Sequence, residues 1–369
     1  MSKRVIVAMS GGVDSSVAAA ILREQGYDVI GIAMRLTPDA PASPGVVRRR
    51  GTCCSHEDFE DARRVAERLN FPFYVVDLRE EFGSRVIGNF VSEYLHGRTP
   101  NPCVMCNREI KFDRLWQRAR ALGVETIATG HYARIEQDSS GRHRLLRATD
   151  ESKDQSYFLF TLTQRELART LFPLGRISKA EVRMRARELG LANAEKPESQ
   201  EICFVPDNDY GRLVEQMAKP DQVRPGPIVD KAGHQLGNHQ GIHLFTVGQR
   251  RGLGIASTEP LYVREIRPAT REIVVGRRAE IMARGLIARS VSLTGAGHEA
   301  PVQVNDEPIE VKIRYRHLGI PATLRLTTND RAEVRFVEGG PAVTPGQACV
   351  FYRGNEVLGG GFIERAIEA

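Results

Sequence analysis

A chain of 369 residues with 41% hydrophobic and 27% charged side chains is too long for one ordinary core and has the composition of two or three globular domains. No apolar run approaches bilayer length, and Met1-Ser2-Lys3-Arg4 leads into an apolar stretch too short for a secretory signal, so a membrane role is not expected and a cytoplasmic location is. The formal charge of +6 permits a polyanionic partner, because Lys and Arg that neutralise phosphates release counterions, but it is equally the charge of an ordinary soluble surface.

In chain order, residues 5–9 are apolar and strand-like, 14–25 read as a helix, and 27–34 again have a buried-strand pattern. The Pro- and Gly-rich stretch 37–51, with Arg48-Arg49-Arg50, reads as a mobile loop. A charged helix over 55–69, a strand over 73–78, helices near 79–94 and 107–122, and a strand over 126–130 follow. These units suffice for an α/β doubly wound parallel sheet, in which ligands sit at the carboxyl ends of the strands. After about Pro206 the texture changes to short β-like runs such as Gly226-Pro227-Ile228-Val229 and Phe245-Thr246-Val247-Gly248-Gln249. Further alternating runs at 310–316, 322–326, 331–337 and 348–352 read as a small antiparallel barrel or sandwich. The expected domains are a catalytic domain over 1–205, a small β-rich central domain over 206–280 and a C-terminal antiparallel β-barrel over 281–369.

Between the first strand and first helix stands Ser10-Gly11-Gly12-Val13-Asp14-Ser15-Ser16. Glycines let a backbone approach an anion, and a helix start presents unpaired N–H groups with a favourable dipole. The Lys of a P-loop is missing. The segment resembles the Ser-Gly-Gly-x-Asp-Ser loop of the PP-loop ATP pyrophosphatases, a class with an adenine nucleotide alpha-hydrolase-like fold. That resemblance implies ATP held by Ala8, Met9, Ser10, Gly11, Gly12, Val13, Asp14 and Ser15, with Asp14 assisting Mg2+. The plainer alternative is a helix cap in which the glycines only turn the chain. Met34 and Gly130, at strand ends, fit adenosine binding, and equally fit core packing and a turn.

Six cysteines in a cytosolic chain argue against a disulfide framework and for metal, redox or nucleophilic chemistry at some of them. Cys106 lies in Thr99-Pro100-Asn101-Pro102-Cys103-Val104-Met105-Cys106-Asn107, where two prolines stiffen the approach and Asn107 is placed to cap a following helix. A thiol at a helix start has its thiolate stabilised. Cys203 sits among apolar residues in Glu198-Ser199-Gln200-Glu201-Ile202-Cys203-Phe204 and, taken alone, reads as a small buried hydrophobe.

Six blocks in order resemble the tRNA-specific 2-thiouridylases: the Ser10–Ser16 loop; Asn-Pro-x-x-x-Cys-Asn-x-x-Ile-Lys-Phe over 101–112; Ala-Thr-Gly-His-Tyr-Ala over 128–133; Lys153-Asp154-Gln155-Ser156-Tyr157; Glu201-Ile202-Cys203-Phe204; and Gly248-Gln249-Arg250-Arg251-Gly252-Leu253. The resemblance spans nearly the whole chain. It implies that ATP adenylates the C2 oxygen of the wobble uridine of tRNA and that a protein persulfide then supplies sulfur, a soft nucleophile able to displace the activated oxygen. It further implies that Cys203 carries the persulfide, that Cys106 resolves it through a transient disulfide, and that a sulfur-donor protein is a partner. Asn101, Pro102 and Cys103 are then expected near the flipped target base with His131 beside it, Lys153, Asp154 and Gln155 at the anticodon backbone, and Arg314, Tyr315 and Gln347 as contacts from the C-terminal domain.

One position departs from the family pattern. Many relatives carry Asp where this chain has Cys103, and Cys103-x-x-Cys106 with Cys203 makes a possible ligand set for a 4Fe–4S cluster, a second route for the sulfur. Cys53, Cys54 and Cys349 read as structural or incidental, though Cys54 stands next to a helix start. The Arg-dense stretch 250–289 is, for the most part, an ordinary solvated face, with phosphate contact the alternative. Two other functions compete: an amidating ATP pyrophosphatase, for which no glutaminase or amino-acid site is found, and an RNA-binding or sulfur-carrier protein without catalysis.

Overall fold

The computed structural model describes residues 3–37, 56–198, 202–205, 207–294, 305–328 and 330–368. Most of the stretch 37–51, with its arginines, and Cys53 and Cys54 lie outside the described residues.

The chain opens with β1 (Arg4–Ala8), α1 (Val13–Glu24), β2 (Asp28–Arg35), α2 (His56–Arg68) and β3 (Phe73–Asp77). Val5, Ile6 and Val7 of β1 are fully buried, as a central parallel strand covered on both faces requires. A helical run then passes through α3 (Arg79–Phe82), a wide turn at Gly83–Ile87 and α4 (Gly88–Leu95). A second run comprises α5 (Pro102–Cys106), a wide segment at Asn107–Arg114 and α6 (Leu115–Ala121). Next come β4 (Ile127–Ala128), β5 (Ala133–Gln137), β6 (His143–Arg147), α7 (Gln164–Leu167), β7 (Thr170–Leu171), α8 (Lys179–Glu188) and α9 (Tyr210–Met217). The first sheet has the order β3-β2-β1-β4-β7, all parallel. Strand order reverses between β1 and β4, so a crevice opens at their carboxyl ends, where doubly wound sheets bind ligands. Helices α1, α2 and α8 supply one apolar layer, through residues such as Val17, Ala62 and Val182. The other face packs on Val104, Phe112 and Trp116.

The central unit is a sheet of order β10-β11-β8-β9, formed by β8 (Gly226–Val229), β9 (Gln235–His239), β10 (Tyr262–Arg267) and β11 (Glu272–Gly276). Residues 245–249, expected to be β-like, are not a strand. Phe245 and Val247 are buried, which explains the apolar signal, but Gly248 at φ +89° turns the backbone out of an extended path.

The remaining strands are β12 (Ala283–Leu293), β13 (Asn305–Lys312), β14 (Ile320–Thr328), β15 (Arg331–Gly340), β16 (Ala348–Arg353) and β17 (Glu356–Glu368). They run antiparallel, and β12 pairs with both β15 and β17, closing a six-strand barrel. The α/β, central β and barrel classes therefore follow the sequence reading. The hairpin β5–β6 does not: it leaves the first sheet and pairs through β6 with β17, Glu356 opposite Leu146 and Val357 opposite Leu145. Val350, Tyr352 and Val357 of the barrel consequently share one core with Ile6, Met34 and Leu115. Among the described residues no helix is long and apolar enough to cross a membrane.

Candidate active site

The Ser10–Ser16 loop lies at the reversal between β1 and β4. Gly11 has φ +71°, and a Cβ there would meet the Asp58 carbonyl oxygen at 2.3 Å, so this position accepts no side chain. The loop is held from within and from behind. Ser15 Oγ donates to the Gly12 carbonyl at 3.0 Å and accepts from Ser10 N at 3.2 Å, while Ser16 Oγ donates to the Gly12 carbonyl at 3.1 Å. Asn193 Nδ2 donates to the Gly11 carbonyl at 3.0 Å and to Ser16 Oγ at 2.9 Å. Lys196 Nζ reaches the same carbonyl at 3.3 Å and pairs with Asp58 and Asp61, both at 2.6 Å. Burial alone would depress the Lys196 ammonium pKa, but these two carboxylates outweigh it and raise it. With its carbonyls engaged behind, a loop of this kind leaves its N–H groups and the start of α1 to face an anion.

Gly130, at the end of β4, closes the other side. A Cβ at this position would stand 2.7 Å from Ser15 N and 2.8 Å from Asp14 C. Ala8 ends β1, Met9 is buried with its N–H donating to the Ile32 carbonyl at 2.8 Å, and the Met34 side chain is buried in β2. The structure thus gathers Ala8 to Ser15, Met34 and Gly130 around one strand-end crevice.

Asp14 is the acidic centre of this crevice. Lys179 Nζ lies 2.7 and 2.8 Å from its two carboxylate oxygens, and Tyr132 OH donates to Oδ1 at 2.7 Å. Lys179 also pairs with Glu198 at 2.9 Å, and Glu198 with Lys153 at 2.8 Å. Burial, then the Asp14 charge, hold the Tyr132 phenol protonated well above its ordinary range. Burial pushes the Glu198 carboxyl up, but hydrogen bonds from Lys153 and Lys179 prevail and hold it below the usual carboxylate range. Sequence reasoning missed Lys179, Asn193 and Lys196. The one available signal was the capping box Ser178-x-x-Glu181, which starts α8 and places Lys179 at its first position.

The cysteine segment corrects one expectation. Asn101, not Asn107, is the helix cap: its Oδ1 accepts from Val104 N at 3.3 Å and Pro102 follows at the first helical position. Asn107 is buried within the run, where its Nδ2 donates to the Phe158 carbonyl at 3.1 Å. The first-turn position that favours a thiolate therefore belongs to Cys103, which is exposed, and Cys106 sits one turn later, half-buried. Cys203 is half-buried too, and both Cys106 and Cys203 pack against the core that carries Met34 and Val104. Phe204 anchors the Cys203 side, with its ring edge-on to Phe82 at 5.7 Å and Phe90 at 5.2 Å. Cys349 is wholly buried in the barrel, which pushes its thiol up to about 12. Among the described residues no group of three His, Cys, Asp or Glu side chains is placed to hold a metal ion.

The other residues expected at tRNA border the same region. His131 Nδ1 lies 2.7 Å from Thr129 Oγ1 and its ring packs between Phe112 and Phe172, at 6.3 and 6.1 Å. Burial, with the Lys111 charge second, keeps this imidazole neutral. The Asp154 carboxylate is buried and accepts from Ala148 N at 3.1 Å and Ser156 Oγ at 2.9 Å, so its side chain faces inward. Gln155 Oε1 accepts from Tyr132 N at 3.0 Å. Tyr315 packs on Phe158 with centroids 4.5 Å apart. Gln347 Nε2 donates to the Thr99 and Pro100 carbonyls at 3.0 and 3.1 Å, so the barrel positions the Asn101 approach directly. Arg314 is exposed and donates to Thr344 Oγ1 at 3.1 Å.

Fold and site together define a PP-loop type α/β nucleotide domain joined to two β units, with two half-buried thiols on the core that holds Met34. Matching family models are described as the tRNA methyl transferase HUP domain over residues 3–207, the tRNA methyl transferase PRC-barrel domain over 215–277 and the aminomethyltransferase beta-barrel domain over 284–363. A tRNA-specific 2-thiouridylase MnmA of Geotalea uraniireducens is 54% identical over 99% of this chain and 96% of its own length. Proteins of the same name from Geobacter metallireducens and Solibacter usitatus are 53% and 50% identical, covering 99% and 98% of this chain and 98% and 99% of their own lengths. The chain belongs to the tRNA-specific 2-thiouridylase family.

Proposed function

We propose that the protein converts the wobble uridine of tRNA to 2-thiouridine, consuming ATP and releasing AMP and pyrophosphate. The Ser10–Ser16 loop would take the polyphosphate of ATP, and Gly130 and the end of β2 would border the adenosine. Asp14 fits a magnesium ion, since Mg2+ is held by one or two carboxylates together with substrate phosphates. The ion would shield the phosphates, and Lys179 is the cation that stands on Asp14 until then.

Sulfur transfer balances on the two thiols. The terminal sulfur of a Cys203 persulfide attacks C2 of the adenylated uridine, and the activated oxygen departs with AMP. The Cys106 thiolate then attacks Cys203 Sγ and breaks the bond to the nucleoside sulfur, which keeps the electron pair and becomes the thiocarbonyl. A Cys106–Cys203 disulfide remains, to be reduced by an external thiol before a sulfur-donor protein reloads Cys203. The observation that carries this assignment is that Cys106 and Cys203, far apart in sequence, pack on one core that also holds Met34 at the end of β2.

Cys203→Ser tests it. This variant should make no 2-thiouridine yet still release pyrophosphate when tRNA is added. Residual thiolation would refute the role of Cys203. Pyrophosphate release without tRNA would favour an amidating enzyme, and a methylated product would favour the transfer named in the family-model descriptions.

A further inference from the structure

The block Gly248-Gln249-Arg250-Arg251-Gly252-Leu253 has no part in the chemistry above, yet it is built with unusual care. Gln249 closes the loop as a staple: its Oε1 accepts from Thr246 N at 2.9 Å and its Nε2 donates to the Arg251 carbonyl at 3.0 Å. Gly248 N donates to the Val263 carbonyl at 2.8 Å and Val263 N to the Gln249 carbonyl at 2.9 Å, fixing the loop to β10. Arg250 and Arg251 project from this frame into solvent, and neither they nor the exposed Arg278 nearby form an ion pair among the described residues. Other arginines of the central unit are neutralised, as Arg277 is by Glu259 at 2.9 Å and Arg267 by Glu272 at 3.2 Å.

The loop is tied to the other two domains at the edge of the base site. Thr246 Oγ1 lies 3.0 Å from Thr99 Oγ1, two residues before Asn101. Thr344 Oγ1 donates to the Val247 carbonyl at 3.1 Å while accepting from Arg314. A cleft of about 380 Å³ at this seam is lined by Gly248, Arg278, Arg314 and His317 among others. Gly248 has φ +89°, a conformation that favours glycine, and a Cβ there would press on the Ala342 side chain at 3.1 Å.

We propose that loop 246–252 is an RNA phosphate-binding element, in which Arg250 and Arg251, with Arg278 and Arg314 across the seam, take consecutive phosphates of the strand entering the base site. The inference rests on tRNA being the substrate. A backbone polyanion matches a row of unneutralised guanidinium groups on a rigid frame, because Arg binds phosphate bidentately and little side-chain order must be created beyond the arginines themselves. The three-way tie at Thr99, Thr246 and Thr344 fixes their distance from the pocket.

Binding of substrate tRNA by the full chain across a salt series tests this. Arg250→Ala with Arg251→Ala should weaken binding and reduce the slope of log K against log salt by about 1.4–1.8, since each lost phosphate contact removes about 0.7–0.9. Both positions are exposed, so thermal stability should not change. An unchanged slope, with or without weaker binding, would overturn the proposal. If the unsubstituted protein bound no tRNA, the thiolation reading itself would fall, and this inference with it.

Discussion

Gly130→Ala isolates the contact between the two halves of the nucleotide crevice. Gly130 does not have positive φ, so alanine meets no backbone strain and the whole effect is steric. Its Cβ would stand 2.7 Å from Ser15 N, whereas ordinary contact begins at 3.4 Å, so loop and β4 end must separate by 3.4 − 2.7 = 0.7 Å. Both neighbours are backbone and cannot rotate away. Overpacking of this kind costs about 1–3 kcal/mol. Displacement near 1 Å at a reacting group costs about 100-fold in rate, so tRNA-dependent pyrophosphate release should fall about 10- to 100-fold in kcat/KM for ATP. Gly83→Ala is the control: nothing lies within 4 Å of its Cβ and its φ is −58°, so activity should hold and the helical run gain about 0.5–1 kcal/mol. Wild-type kcat/KM in Gly130→Ala would refute the placement of ATP against this contact.

Lys179→Met leaves the Asp14 and Glu198 carboxylates facing each other without their shared cation; stability should fall by about 1–3 kcal/mol in urea melts, below the full loss for a deeply buried pair, and pyrophosphate release should fall with it. Phe204→Ala removes two edge-on ring contacts and should cost about 1–3 kcal/mol, lowering 2-thiouridine formation more than pyrophosphate release, as parallel product assays will show. His131 is neutral when folded, with its pKa below the 6.5 of the unfolded chain. Its contribution is complete above pH 6.5 and is lost as pH falls toward the folded value, at about 1.4 kcal/mol per unit. His131→Gln should therefore lose less stability than the parent between about pH 7.5 and about pH 5.5 in urea midpoints, and equal losses would contradict an imidazole held neutral in the folded protein.

The parts of this protein legible in its sequence are those set by local pattern. The apolar run 5–9 and the following glycines identify a central strand and its loop because both signals are contiguous. Asn101 and Asn107 were interchangeable as caps by residue type, and only Pro102, which favours the first helical turn, distinguishes them. Apolar alternation at 245–249 looked like a strand because burial of Phe245 and Val247 does not require an extended backbone. What was not legible is long-range. Lys179 meets Asp14 across 165 residues, Asn193 meets Gly11 across 182, and β6 meets β17 from another domain. Polar groups on such paths carry no periodicity, so nothing local marks their partners. Cys106 and Cys203 were joined only by family resemblance, and the shared core now supplies a physical reason to consider them together.

The central claim is that an adenylated uridine exchanges its C2 oxygen for sulfur. Mass spectrometry of nucleosides digested from tRNA treated with the protein, ATP, magnesium and a persulfide donor tests it most directly. The expected product is a wobble uridine carrying sulfur in place of one oxygen, formed only with ATP and absent with Cys203→Ser. An unmodified or methylated uridine under the same conditions, with pyrophosphate released, would contradict it.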